Sequence, residues 1–151
     1  TLFAPTKAMA GTSGTVNLAG SVTSTLNMAT STVAGAGTLA LDGSAAGAQQ
    51  IAKVADLDIG TNNEQGFTLT VSSGNLTKAG GSSIAYQVAT TADGVAAASG
   101  DFTVASGTDY TYNNTGATAS DKRDLSIMYT PAALQDPGNY AGSITLSVAD
   151  N

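Results

Sequence analysis

The chain has 151 residues and a formal net charge of −6, with 11% of residues charged and 42% hydrophobic. This length is enough for one domain with a sizeable core, and the apolar content is too high for a disordered chain. An acidic chain cannot neutralise phosphates, which disfavours nucleic acid and anionic membranes as partners. Because Cys and His are both absent, disulfides, Cys/His zinc sites and Ser-His-Asp triads are excluded.

Residues 1–10 have two interpretations. Ala8, Met9 and Ala10 resemble the small-residue site that signal peptidase cleaves, which predicts a signal remnant. The alternative is that Thr1 is the mature end and that residues 1–13 are an extension with a function. Since residues 1–13 show no regular apolar period, we expect an arm there and not a strand.

The most regular pattern in the chain lies in residues 15–29. Its even positions read Val, Leu, Gly, Val, Ser, Leu and Met, and every odd position is small or polar. A period of two predicts a β-strand with one buried face. Strands usually run about 5–6 residues, so this ribbon is too long for one small sheet. Either it bends at Gly20 and crosses between two sheets, or part of it leaves its own domain and pairs elsewhere.

Shorter alternating segments follow, separated by turn-forming residues. The predicted strands are residues 38–42, 51–59 with a bulge near Val54, 67–71, 84–88, 102–104, 110–112, 125–130 and 140–148. No segment has a period of 3.6, so we expect almost no helix. Short strands with frequent turn signals predict an all-β, antiparallel sandwich. With five Lys and Arg residues in all, the chain has little charge to guard its edge strands, which indicates that those edges are occupied.

One cluster of oxygen-bearing side chains is a candidate metal site. Asp56, Asp58 and Glu64, together with Asn62 and Asn63, offer the carboxylate and carbonyl oxygens that Ca²⁺ prefers. Their spacing does not match an EF-hand loop, and a strand that ends in a solvated turn explains the cluster equally well. We therefore predict no metal site, with these residues as the alternative.

Other motifs have both a functional and a structural interpretation. Asn75 and Asn113 fit the N-glycosylation pattern, which is short and common in a Thr-rich chain. Tyr110 and Tyr112 are candidates for sugar stacking, but core packing or cross-strand pairing is the favoured interpretation. Lys53 is a candidate for a Lys–Asn cross-link of the kind found in some surface pilins, although a buried stem with an exposed amine is commoner.

No pattern in the sequence predicts catalysis. The mixed charges of residues 121–124 need no function beyond ion pairing in a loop. Nothing indicates the paired carboxylates in a cleft that glycoside hydrolysis requires. We therefore expect a protein that is not an enzyme and uses no cofactor.

Two motifs carry a family resemblance. Residues 124–129 (DLSIMY) and 137–148 (PGNYAGSITLSV) resemble the ending of secreted pilin-like sandwiches, in which P-G-x-Y opens the last strand. Residues 63–74 (NEQGFTLTVSSG) resemble the N-x-x-G-F/Y-T-L-T strand of the same proteins. The chain is thus similar to spore-coat-U-like and other chaperone–usher fimbrial subunits. It departs from many of them in having no cysteine near the first strand.

The resemblance implies an incomplete immunoglobulin-like sandwich whose missing strand is supplied by the N-terminal segment of the next subunit. Residues 1–23 would be the arm and residues 24–151 the sandwich domain. The expected donor row is Val16, Leu18, Gly20 and Val22, and residues 2–9 are the alternative donor. The acceptor-groove candidates are Phe67, Leu69, Val71, Tyr140, Ile144, Leu146 and Val148.

The expected function follows from that resemblance. It is a structural subunit of an extracellular, cell-surface fimbria that polymerises head to tail with identical subunits, with a periplasmic chaperone and an usher as further partners. One alternative is a monomeric secreted module that binds carbohydrate or another surface ligand and whose ribbon folds back onto itself. Another is a surface-layer or matrix protein with different assembly contacts. No apolar run approaches the ~20 residues of a membrane-spanning helix.

Overall fold

The computed structural model describes residues 10–151, which form eight β-strands. The strands are β1 (Asn27–Thr32), β2 (Gln50–Thr61), β3 (Phe67–Val71), β4 (Asn75–Thr77), β5 (Ser83–Ala92), β6 (Tyr110–Asn114), β7 (Thr118–Tyr129) and β8 (Leu146–Asp150). Helical structure in these residues is limited to three short 3-10 turns, at Ala34–Gly37, Gly43–Ala45 and Ser99–Asp101. The prediction of an all-β protein with almost no helix is confirmed.

Two antiparallel sheets pack against each other as a sandwich. The larger sheet has the strand order β1-β2-β7-β5-β4, and the smaller one has the order β6-β3-β8. Alternate residues of each strand point inward, so the two inner faces together form one apolar core. Its most deeply buried side chains include Leu57, Ile59, Phe67, Leu69, Val71, Val88 and Leu125.

The bulge predicted near Val54 is present in β2. The register between β2 and β7 shifts between Lys53 and Ala55, so Val54 is the extra residue. Val54 and Ala55 are consequently both buried, which a regular alternation does not allow. This irregularity explains why the period of two is broken in that segment of the sequence.

Several predicted segments differ from the structure, and of the strand predicted at residues 140–148 only residues 146–148 lie in a strand, β8. Residues 38–42 and 102–104 are not strands, although Leu39 and Phe102 still pack their apolar side chains against the interior. Conversely, residues 121–124 were expected to lie in a loop and lie instead within the first part of β7. Polar residues occupy inward positions there because the Arg123 guanidinium stacks 3.9 Å from the centre of the Tyr112 ring and also donates to the Thr90 carbonyl.

The long ribbon is a strand only in its last part. β1 begins at Asn27, which pairs with Gly60, and residues 15–26 have no regular secondary structure. The reason lies in the partner strand: β2 ends at Thr61, one residue beyond the partner of Asn27, so residues before Leu26 have no residue of β2 opposite them. The first alternative, a bend at Gly20 between two sheets, therefore does not describe this chain.

Gly66 provides a test of this fold. It has a φ of +80°, and a Cβ at this position would collide with the backbone carbonyl of Asn114. We expect Gly66→Ala to lower the free energy of unfolding by about 2–5 kcal/mol, because it combines left-handed backbone strain with overpacking. Urea denaturation followed by circular dichroism measures this change.

Gly74→Ala is the matched control. A Cβ at Gly74 has no atom within 4 Å and its φ is not positive, so we expect a change within about 0.5 kcal/mol, as at unconstrained surface positions. Equal losses in the two variants would contradict the described path of the chain at Gly66.

Candidate functional site

An apolar groove runs between the two sheets where β1 and β8 are the outermost strands. It encloses about 300 Å³, and its walls come from both sheets and from the irregular segment after β1. No lining side chain is charged. The lining residues are Thr30, Thr32, Ala36, Leu39, Val54, Ala55, Leu76, Tyr86, Leu125, Ile127, Gly142, Ile144 and Leu146.

Both rims of this groove are strands with an unpaired edge. Among the strands of residues 10–151, β1 pairs with β2 alone and β8 pairs with β3 alone. The backbone N–H and C=O groups on the other edge of each strand therefore have no strand partner in this part of the chain. Such an edge is a template for one more strand.

The inner face of β8 is incompletely covered. Leu146 and Val148 lie directly opposite Val71 and Leu69 of β3 and point to the same side of the sheet. Val71 and Leu69 are fully buried, whereas Leu146 and Val148 are only half-buried. The apolar layer of the smaller sheet thus ends at β8 with side chains that are still partly accessible, and of the two Leu146 lines the groove.

One end of the groove is closed by polar contacts. Just before β1, the Ser24 hydroxyl donates to Asp150 at the end of β8, at 3.1 Å, and Thr61 donates to the other oxygen of the same carboxylate at 2.6 Å. At the other end, Thr32 and Ile144 line the groove together. The start of β1 therefore lies beside the end of β8, and the two rims run antiparallel.

Residues 10–22 are the described part of the arm, and every one of them is exposed. Val16, Leu18 and Val22 are 82%, 90% and 88% exposed, and a Cβ added at Gly20 would have no atom within 4 Å. Leu26, which continues the same alternating row, is half-buried against the core. The row thus changes from exposed to packed between residues 22 and 26. The alternative donor, residues 2–9, lies outside the described residues.

The predicted acceptor residues occupy two different layers. Ile144 and Leu146 line the groove, whereas Phe67, Leu69 and Val71 lie fully buried on β3 and do not line it. The other two candidates, Tyr140 and Val148, are half-buried. The hydroxyl of Tyr140 donates to the Asp136 carbonyl at 2.7 Å, and Val148 lies beyond Leu146 along β8.

Most of the groove wall was not predicted. Alternation marks Leu125 and Ile127 as inward-facing, but strand order decides which inward residues lie near the open side. Ala36 and Leu39 lie in an irregular segment where no periodicity exists to mark them. Tyr86 also lines the groove, and its hydroxyl donates to the Ser143 carbonyl at 2.9 Å. Burial raises the pKa of Tyr86, which keeps this hydroxyl neutral.

Two of the three calcium candidates, Asp56 and Asp58, are engaged with other protein groups. Asp56 forms an ion pair with Lys53 at 2.6 Å, and Asp58 accepts a hydrogen bond from Ser120 at 2.6 Å. Glu64 is exposed in the turn after β2. In the described residues, the carboxylates that approach within 4.8 Å of one another are instead those of Asp56, Asp93 and Asp124.

Lys53 lies among these acidic groups. Its amine is 2.6 Å from Asp56 and 3.2 Å from the buried carboxylate of Asp124. The hydrogen bond to Asp56, followed by the one to Asp124, raises the pKa of Lys53. In turn the hydrogen bond from Lys53 lowers the pKa of Asp56. The amine is therefore a protonated partner of two aspartates, and a cross-link would require it to be neutral and nucleophilic.

The aromatic and glycosylation candidates lie as follows. Tyr110 and Tyr112 pack against the core, and the Tyr112 ring lies 6.1 Å from the Phe67 ring, so they form no exposed platform for a sugar. Asn75 is exposed on β4, and Asn113 on β6 accepts a hydrogen bond from the Asn151 amide at 2.9 Å. Both asparagines lie on strands where loops were predicted.

Comparison with known proteins identifies no family for this chain. No helix of residues 10–151 is long and apolar enough to cross a membrane. No family model matches the chain, and neither a curated protein nor a solved structure matches it. The groove, its two rims and the arm are therefore the features of the molecule that indicate a function.

Proposed function

We propose that the protein is a structural subunit of an extracellular fimbria-like filament, in which the arm of one copy occupies the groove of the next. The supporting observation is the pairing of two incomplete features in one chain. One is an uncharged groove between two unpaired strand edges, and the other is an exposed arm with apolar side chains at alternate positions. An immunoglobulin-like sandwich that lacks one strand is the corresponding fold.

The chemistry of the arm matches that of the groove. A strand inserted between β1 and β8 turns every second side chain inward, and the even positions of the arm are Val16, Leu18, Gly20 and Val22. Each Val or Leu side chain that becomes buried contributes about 1.5–3 kcal/mol. The odd positions, such as Asn17 and Ser21, are polar or small and would face solvent.

The length of the arm also fits. Residues 15–23 in an extended conformation span about 30 Å, at roughly 3.3 Å per residue. The rim strands β1 and β8 have six and five residues, so each spans about 15–20 Å at the same rise per residue. The arm is therefore long enough to pair with each rim strand along that strand's whole length and to satisfy backbone groups of both strands at once.

The resulting contact is head to tail. Arm and groove are different surfaces, so each subunit uses its groove for one neighbour and its arm for another, and such a contact forms open filaments unless a rotation closes it. An unfilled groove exposes apolar surface and two strand edges. A chaperone and an usher that cover it before assembly are the accessory partners of this proposal. The filament is structural and has no catalytic step.

Two variants test which face of the arm enters the groove, because each places one negative charge on a different face. We expect Leu18→Asp to abolish filaments, because it removes a buried Leu and inserts a carboxylate into an uncharged groove. The loss is about 3 kcal/mol or more per contact, which is at least about a hundredfold in affinity. Ala19→Asp adds the same charge on the solvent face and leaves filaments intact.

Sedimentation velocity and electrophoresis of unboiled samples in detergent measure the polymer in both variants. A wild-type chain that stays a monodisperse monomer at high micromolar concentration would refute the filament and favour the monomeric binding module. Identical polymers from the two variants would refute the assignment of the donor face.

The groove is tested by filling it. Thr32 lines the groove at the rim, whereas the neighbouring Ser31 faces a separate surface depression on the outer side of β1. We expect Thr32→Trp to block the insertion of a donor and leave a folded monomer, because the indole occupies the space that the arm needs. Ser31→Trp is the control and should polymerise normally. Mixing experiments distinguish the roles: Thr32→Trp subunits still donate their arm to wild-type grooves and cap filament ends, so the filaments become shorter as their proportion rises.

A further inference from the structure

We infer that the side chains of Asn62 and Asp150, here called the arm clamp, hold the base of the arm so that it cannot enter its own groove and is presented to a second copy. This inference rests on the proposed function. The clamp would make the arm insert into the groove of a second copy and not into its own. Self-insertion is the strongest competitor of polymerisation. An arm tethered beside its own groove has an effective concentration of the order of millimolar.

The clamp holds the backbone on both sides of Ser24. The Asn62 side-chain amide donates to the Thr23 carbonyl at 2.9 Å, and its oxygen accepts from the Thr25 N–H at 3.1 Å. These are the two groups through which a neighbouring strand would bind an extended residue, so the amide acts in place of a strand partner. Asp150 holds the Ser24 side chain itself at 3.1 Å.

The position of the clamp decides where the arm can go. It lies at the closed end of the groove, where the start of β1 meets the end of β8. To enter its own groove, the arm would have to reverse direction between residues 21 and 26 and run back along β1. The clamp holds residues 23–25 across the point where this reversal must occur, so self-insertion requires breaking both amide hydrogen bonds.

The local sequence gives the same restriction. Residues 21–26 read SVTSTL and contain no Gly, Asn, Asp or Pro. Tight hairpin turns depend on those residues for positive φ or a preset φ. A second copy meets neither restriction, because its arm arrives from outside and needs no turn at the closed end.

Disulfide trapping in the full-length chain tests the clamp, since the native sequence has no cysteine. Ser147 is exposed and lies between the inward-facing Leu146 and Val148 on the rim of the groove. The parent variants combine Ser147→Cys with one arm cysteine, Asn17→Cys, Ala19→Cys or Ser21→Cys. Non-reducing electrophoresis after mild oxidation separates interchain ladders from an intrachain-linked monomer of altered mobility.

We expect interchain ladders in the parent, and we expect Asn62→Ala to raise the ratio of intrachain to interchain product about tenfold or more, because two hydrogen bonds are lost. Asn62→Asp keeps the acceptor for Thr25 but loses the donor to Thr23, and it should give an intermediate ratio. Gln65→Ala is the matched control, since it removes an exposed amide from the same loop without touching the arm.

The outcomes separate the clamp from the filament. A merely structural role for Asn62 would lower thermal stability and leave the disulfide ratio equal to that of Gln65→Ala, which would overturn the clamp alone. Predominantly intrachain product in the parent would also overturn the clamp. If no arm cysteine forms a disulfide with position 147 in any variant, the proposed function fails and the clamp fails with it.

Discussion

The constraint on which this molecule depends is an apolar layer that the strands of residues 10–151 do not close. Leu146 and Val148 share a face with residues that are fully buried on the next strand, yet both are only half-buried, and Leu146 lines the groove. Each Å² of such surface costs about 25 cal/mol when it remains in water. Within residues 10–151 the two flanking strands each have one edge without a strand partner, and in the proposed assembly an additional strand would satisfy backbone and side chains together. The absence of charge from the groove wall restricts that strand to one with an apolar face.

The sequence could predict the strands in which apolar and polar residues alternate regularly, so that one face is apolar. Residues 67–71, 84–88 and 125–129 alternate without interruption, and all are strands. Even the bulge in β2 could be placed, because a break in the period leaves two adjacent inward residues. Prediction failed where inward positions are polar, as at Arg123 and Asp121. There a stacked aromatic ring and hydrogen bonds from Tyr112 and Asn114 replace apolar contacts.

The groove itself could be predicted only in part, and the ribbon shows why. Alternation reports that a segment is suited to a sheet with one buried face, but it does not report which sheet. Residues 16–22 and 26–28 carry one continuous pattern, yet the first part is exposed and the second packs on the core. The length of β2 accounts for this division, since β2 ends at Thr61, only one residue beyond Gly60, the partner of Asn27. Likewise, Leu39 reaches the groove from a segment without any period, so only the tertiary path of the chain reveals it.

The position of the clamp relative to the groove gives the proposed assembly its direction. The arm leaves the sandwich at the closed end, beside Asp150, while the groove extends toward Thr32 and Ile144 at the other end. A donor that fills the groove of a neighbour therefore places the two sandwiches one after the other along the groove axis. If the arm left from the middle of the groove or folded back at once, two copies could exchange arms reciprocally and close as a dimer. Exit at one end, with the base of the arm held extended, favours repeated translation, which is what an open filament requires.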